Sequence, residues 1–374
     1  MAGSIKNILI TGGAGFIGSH VAHELINAGY GVRIMDTLEP PTHDGALPAW
    51  IDPQAEFIKG DVCKKEDWVT ALQGVDAVIH LAAYADYHLD FSKHIRTNVE
   101  SVALLFEVIV EKELLIKKVV AASSQAVYGE GKYSCTEHGE CYPAPRPEAQ
   151  LQEHTWEVRC PACHTAMEPV AEKEGDKLDP QIPYGISKVA SEQLLLNLGK
   201  RYSIPVAITR VSIAIGPHQS LKHFYSGALR AFAVYAFNNE PFQMNEDAGQ
   251  IRDFIDVRDV ATAYRVILEN PKTDFEVFNV GSGRQTHVID LAKLVAEEAG
   301  VPFQPSLAGR FRVGDARNQP MDVSKLRELG WEPKYSLQDS VRDYLTWVRE
   351  QGNAKQALDA SYAAMRKHGV LKGT

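Results

Sequence analysis

No apolar run in the chain approaches the roughly 18–20 residues that a membrane-spanning helix needs, so no helical membrane anchor is expected. Basic residues are in deficit, with 39 Lys and Arg against 48 Asp and Glu and a formal net charge of −9. That balance excludes a general phosphate-backbone binder held by counterion release, and no nucleic-acid partner is expected. An anionic small molecule can still bind in a local basic pocket. Cysteine is sparse, five in 374 residues, which excludes a disulfide scaffold of the small secreted kind. The N-terminal MAGSIKNILITGG reaches a buried-strand pattern too early for a secretory leader, and there is no internal repeat or low-complexity tract. A soluble, cytoplasmic chain is therefore expected. The length and a 45% hydrophobic content leave room for one or two large cores.

What is present is an alternation of short apolar strands and amphipathic helices. KNILIT runs into glycines and then into GFIGSHVAHELINAG, which reads as strand, turn and helix. GVRIMD, AEFIKGD, DAVIHLAA, KKVVAASS and PVAITR repeat the strand signal, most of them separated by helical stretches such as HIRTNVESVALLFEVIVEKE and YGISKVASEQLLLNLGKRY. Strands apolar throughout and joined by crossovers predict a parallel sheet covered on both faces, a doubly wound α/β fold of the Rossmann kind. Residues 131–182 break the pattern with Pro, Cys, His and Glu and read as an insertion in a loop. Beyond about residue 216 the pattern turns irregular before the amphipathic LQDSVRDYLTWVREQG. The expected organisation is a nucleotide-binding domain over 1–215, interrupted by the 131–182 insertion, with 216–374 mainly a smaller domain closing over the sheet edge.

Gly12, Gly15 and Gly18 lie directly after the first strand, at the opening of the first helix. Glycines there allow a tight turn and close approach of the backbone to a pyrophosphate, which the helix N-terminus attracts. Asp36 ends the second strand, where an acid bonds a ribose 2′-hydroxyl and repels a 2′-phosphate, so NAD is favoured over NADP. Arg33 nearby is the one feature that points the other way. Asp61, in KGDV, reads either as an adenine contact or as a strand-end cap. Tyr184 and Lys188 are spaced i,i+4 on one helix face. A phenol must drop by roughly three pKa units to act as a base near neutrality, and a neighbouring ammonium and a nicotinamide cation both push it that way. With Ser124 at the end of the fifth strand, the three form an alcohol-oxidation site at a hydride acceptor.

TGGAGFIG, HLAA, SSQAVYG, YGISK, IRDFIDVRDV, FNVGSG and LGWEP together resemble the extended short-chain dehydrogenase/reductase family, and within it the nucleotide-sugar epimerases of the UDP-galactose 4-epimerase and dTDP-rhamnose 4-epimerase types. The likeness runs from about residue 5 to 350. It implies catalytic roles for Ser124, Tyr184 and Lys188. It places NAD along Gly12, Gly15, Phe16, Ile17, Gly18, Asp36, Asp61, Val62, Leu81, Ala82, Ala83, Asn98, Tyr184 and Lys188. It implies a nucleoside-diphosphate sugar between the domains, held by Tyr84, Ser124, Arg252 and Arg312, the two arginines on the diphosphate. Tyr84, Asp86, Tyr87 and His88 are candidate sugar contacts. A homodimer is implied as well, with the helices around 94–112 and 184–201 forming a four-helix bundle; apolar stripes such as Val102, Leu105, Phe106 and Ile109 permit it, and a monomer would bury similar stripes. The sequence departs from the family in two places. Gln125 and Ala126 stand where related dehydratases carry an Asp-Glu pair, which disfavours elimination of water, and Ile213 stands where many epimerases have an Asn. The expected reaction is epimerisation at C4; a nucleotide-sugar dehydrogenase or ketosugar reductase is the alternative, and a non-enzymatic NAD-binding scaffold is disfavoured by the intact Tyr184 and Lys188.

Four of the five cysteines cluster. Cys160-Pro-Ala-Cys163 has the spacing of a zinc knuckle, and Cys135 with His138 supplies a second pair, Cys141 being an alternative to His138. Four protein ligands leave no open position, so the zinc is expected to be structural, in a small ribbon with too few apolar residues to order 131–170 without it. Unligated thiols in a disordered loop are the alternative. Cys63 is expected to pack.

Overall fold

The computed structural model of the chain describes residues 4–86, 88–223, 227–352 and 354–373. Its centre is a seven-stranded sheet of β1 (Asn7–Thr11), β2 (Gly31–Asp36), β3 (Glu56–Lys59), β4 (Ala77–His80), β5 (Lys118–Ser124), β6 (Val206–Val211) and β7 (Glu276–Val280). The order across the sheet is β3-β2-β1-β4-β5-β6-β7, and every pairing is parallel. β4 and β6 are buried along their whole length. Such strands have no solvent face, which is why they read as unbroken apolar runs.

Both faces are covered. On one, α1 (Phe16–Asn27) brings Val21 and Leu25, and α5 (Val257–Glu269) brings Val260, Tyr264 and Ile267, onto Ile8, Ile10 and Ile79. On the other, Trp68 of α2 (Lys65–Ala71) and Val102, Leu105, Phe106 and Ile109 of α3 (Ser101–Glu111) pack with Leu195 of α4 (Pro183–Tyr202). The apolar stripe, which a dimer face or a monomer's own core could equally bury, packs here within one chain. α5 and β7 lie beyond residue 216 yet complete the first sheet, so the chain returns to it after leaving.

A second core gathers Leu229, Phe232, Tyr235, Phe242, Leu291, Val295, Val341 and Tyr344 from helices Gly227–Phe237, Val288–Ala299 and Leu337–Glu350 and a short strand, Phe242–Met244. The Cys-rich stretch is not featureless. Strands Lys132–Cys135, Gly139–Cys141 and Glu168–Val170 form a small antiparallel sheet, backed by Tyr133, Val158 and Met167 with Cys135 and Cys160. No described helix is long and apolar enough to cross a membrane.

Candidate active site

The strands end together along one sheet edge, and a cleft of about 1310 Å³ opens there. The strand order reverses between β1 and β4, and the glycine turn sits in that crevice, as expected for a doubly wound sheet. The approach is close. Gly12 has φ +66°, and a Cβ on it would lie 2.8 Å from the Ala82 nitrogen; one on Gly18 would lie 2.2 Å from the Gly12 carbonyl oxygen. Buried His80 ties the strand ends to the helical layer, bonding Thr11 through Nδ1 at 2.7 Å and Ser101 through Nε2 at 3.0 Å. Burial pushes its pKa down to about 3, so it stays neutral.

Phe16, Ile17, Asp36, Asp61, Val62, Leu81, Ala82 and Ala83 all line the cleft beside Gly12, Gly15 and Gly18. The Asp36 carboxylate also braces the turn, accepting from the Ala14 N–H at 3.1 Å and the Leu38 N–H at 3.0 Å. Asp61 both lines the cleft and caps its own turn through the Cys63 N–H, 2.9 Å away. Arg33 is turned elsewhere, with its fork on Glu56 at 2.8 Å and on the carbonyls of Ala71 and Gln73. Asn98 does not line the cleft. It is buried behind the wall, clamping the backbone of Tyr84 through its N–H and carbonyl and reaching the Ser187 hydroxyl at 2.9 Å.

Ser124 ends β5 and Tyr184 opens α4, and the two hydroxyls are hydrogen-bonded. Lys188 follows one turn on, with its ammonium 5.9 Å from the centre of the Tyr184 ring and donating to the Ala122 carbonyl at 2.9 Å. Burial pushes the Tyr184 phenol up to about 12, with Ser124 pulling the other way. Burial pushes Lys188 down to about 8, and the Glu192 carboxylate opposes that. Glu192 is a functional residue the motif reading passed over: it accepts from the Ser123 hydroxyl and from the Arg210 fork at 2.7 and 3.0 Å, locking α4 to β5 and β6. Its i,i+4 spacing from Lys188 was the available signal. Gln125 and Ala126 line the cleft next to Ser124, so no acid occupies those two places.

Tyr84, Asp86 and His88 are on the cleft wall. The Tyr84 hydroxyl donates to Asp90 at 2.7 Å, and Lys93 lies 4.6 Å from the centre of its ring. Tyr87 lies outside the described residues. Arg252 and Arg312 also line the cleft, sharing Asp315 at 3.9 and 2.9 Å. Arg252 is buried, and its guanidinium donates to the carbonyls of Ile251, Ala316 and Arg317. Ile213 borders the same space, as do Arg230, Tyr362 and Met365, the last two on a C-terminal helix, Lys355–Lys367. Nothing in the sequence marked that helix as cleft wall, because only the tertiary fold returns it there.

Away from the cleft, Cys135, His138, Cys160 and Cys163 turn their ligand atoms to within 4.8 Å of one another. Cys135 Sγ is 3.6 Å from both Cys163 Sγ and His138 Nδ1, and Cys160 Sγ is 3.7 Å from His138 Nδ1. Cys141 is outside the group, its sulfur on Met167 at 3.7 Å, whereas His138 lies within it. Cys63 is half-buried against the Arg96 carbonyl.

A glycine turn at the switch point of a parallel sheet, with Ser, Tyr and Lys converging on the same cleft, defines a dinucleotide-binding α/β protein of the short-chain dehydrogenase/reductase kind. The chain belongs to the NAD-dependent epimerase/dehydratase family, whose model matches residues 8–148 and 161–281. It is 32% identical over 359 residues to a dTDP-L-rhamnose 4-epimerase of Burkholderia thailandensis, covering 94% of this chain and 97% of that protein. It is 29% identical to a putative UDP-glucose 4-epimerase of Methanocaldococcus jannaschii, covering 91% and 98% of the two chains. Among solved structures it is similar to the UDP-glucose 4-epimerase of Thermotoga maritima with UDP-glucose, at 29% identity, TM-score 0.72 and coverage of 92% and 99%. The Thermus thermophilus UDP-glucose 4-epimerase in complex with NAD matches at 25% identity and TM-score 0.73, with coverage of 92% and 99%.

Proposed function

We propose that this protein inverts C4 of the sugar in a nucleoside-diphosphate sugar, through a transient 4-keto intermediate, with NAD as a recycled cofactor. The observation that carries this reading is one cleft lined both by Ser124, Tyr184 and Lys188 and by Arg252 and Arg312. The family match and the 32% relationship to a 4-epimerase support it. The residues fit the cofactor: Gly12 and Gly18 leave the turn open where a Cβ would collide, and Asp36 offers a carboxylate with Arg33 committed elsewhere. When bound, NAD supplies the hydride acceptor, the returning hydride and a positive ring charge. Tyr184 takes the C4 hydroxyl proton and later gives it back, while Ser124 holds the C4 oxygen through both half-reactions. Lys188, with a pKa of about 8, stays largely protonated at neutral pH and holds the phenol toward its charged form. Gln125 and Ala126 supply no acid for elimination, which separates this chain from the dehydratases.

The purified protein should contain NAD and interconvert two nucleotide sugars without net reduction, in a screen of UDP-, dTDP-, GDP- and CDP-sugars; NADH accumulating in step with product would instead identify a dehydrogenase. Gly18→Ala should cut cofactor retention by about tenfold or more, because the new methyl would displace the turn from its helix. Bound-NAD content after gel filtration reads that effect.

The reading extends to architecture. Residues 1–215 with α5 and β7 form the NAD-binding unit, and the rest of 216–374 forms the nucleotide-sugar unit. The four-ligand cluster suits a structural zinc: tetrahedral thiolate and imidazole ligands at about 2.0–2.3 Å from zinc lie roughly 3.5–3.8 Å apart, which brackets the 3.6 and 3.7 Å observed. Apolar side chains exposed on Phe91, Ile95, Val110 and Ile186, beside or on α3 and α4, fit a homodimer. Light scattering should give twice the chain mass, and a monomer at micromolar concentration would reject that pairing.

A further inference from the structure

Between the Cys-rich insertion and the arginines of the cleft lies a network of buried charges that the reaction does not use. Glu130 flanks the insertion, Arg146 lies within it, and so does Glu157, whose side chain is half-exposed. Arg146 is 8% exposed and forks onto Glu246 at 3.0 and 3.1 Å, then donates to the Trp156 carbonyl at 2.8 Å and the Asp315 carbonyl at 3.0 Å. Glu130, 4% exposed, accepts from the Arg317 N–H at 2.7 Å and from the hydroxyl of Tyr133, two residues before Cys135. Glu157 accepts from the Arg317 guanidinium at 2.6 Å, and Glu246 from the same group at 2.9 Å.

Four of these contacts, one each from Arg146, Glu130, Glu157 and Glu246, fall on the short segment Asp315–Arg317. The same three residues hold the cleft arginines. The Asp315 carboxylate pairs with Arg312 at 2.9 Å, and the carbonyls of Ala316 and Arg317 each accept from Arg252 at 2.8 Å. Burying this many charges costs desolvation that apolar packing would avoid. What a guanidinium fork adds is a fixed direction for each carbonyl it binds.

We propose that the insertion sets the nucleotide-diphosphate subsite of this enzyme: Arg146 and Glu130 fix the Asp315–Arg317 segment, and that segment aims Arg252 and Arg312. Arg146 is thus a positioning residue for substrate affinity. The inference rests on the reading of Arg252 as a diphosphate ligand. The insertion is then part of the substrate site without contributing a reacting group.

Calorimetry with UDP, dTDP, GDP and CDP on the full, NAD-loaded chain tests it, using Arg252→Ala to check the subsite itself. Arg146→Lys keeps the buried charge but loses the fork. It should weaken binding of whichever nucleotide the wild type binds by about tenfold, the scale on which loss of a supporting partner acts. KM for the sugar nucleotide should rise in parallel, with kcat changed by less than about twofold and NAD content unchanged. Glu246→Gln, which lies outside the insertion, should give the same split and decides the matter if Arg146→Lys does not fold. Weakening by Arg252→Ala with wild-type affinity in both supporting variants overturns this inference alone. No nucleotide binding by the wild type, or none lost in Arg252→Ala, overturns the diphosphate reading and this inference with it.

Discussion

Tyr184→Phe is expected to lower kcat by about 10³-fold while NAD content and nucleotide-sugar affinity stay near wild type. The substitution removes only the hydroxyl, so the ring still fills its place opposite Lys188 while the hydrogen bond with Ser124 disappears. The sign of the pH dependence follows from the same geometry. Burial holds the phenol up at about 12 in the protein alone, and a protonated Lys188 together with the cofactor's ring charge must lower it before it can accept a proton. Activity should therefore fall as pH drops through the lowered tyrosine pKa, and the residual activity of Tyr184→Phe should lack that acid limb. Turnover that survived the substitution with its acid limb intact would assign the base to another residue.

The second large effect concerns the metal. Cys160→Ser, or a chelator, is expected to remove one zinc per chain and to open the insertion to protease. Structural zinc sites contribute on the order of 10 kcal/mol in small metal-ordered folds, far more than a few buried side chains around Tyr133, Val158 and Met167 supply. The structure narrows where the opening should occur. Lys132 is tied to Glu172 through its N–H and to Asp176 through its ammonium at 3.0 Å, which holds the two ends of the insertion together. Cleavage is thus expected between about 134 and 166 and not at the base, as mass spectrometry of the fragments would show. NAD should remain bound, because the sheet edge that holds it makes no use of the cluster. Protein purified without chelator and found to contain no zinc would sink the idea; lost turnover with the insertion still protected would make the ion catalytic.

Most of the sheet was legible in the sequence, for a local reason. A strand buried on both faces must be apolar throughout, and a helix covering it must be apolar on one side, so β1 to β6 and the helices between them announce themselves. β7 did not. EVFNV breaks its apolar run with a buried Asn279 and lies where the strand–helix alternation has already turned irregular. The fate of the α3 stripe shows the opposite limit. Val102, Leu105, Phe106 and Ile109 are apolar whether they face a sheet or a second subunit, and periodicity cannot distinguish the two.

By itself, the sequence determined the fold class, the glycine turn with Asp36, the Tyr184 and Lys188 pair, and the nearness of Cys160 to Cys163, because each depends on residues held at fixed spacing by one strand, turn or helix. Only the tertiary structure decided that His138 rather than Cys141 joins the cysteines, that Asn98 braces Tyr84 instead of lining the cleft, and that Arg33 is spent on Glu56. It alone brought Arg146 to Asp315 and Glu130 to Arg317. These choices are made between side chains whose partners lie far away along the chain, where spacing in the sequence no longer fixes distance in space.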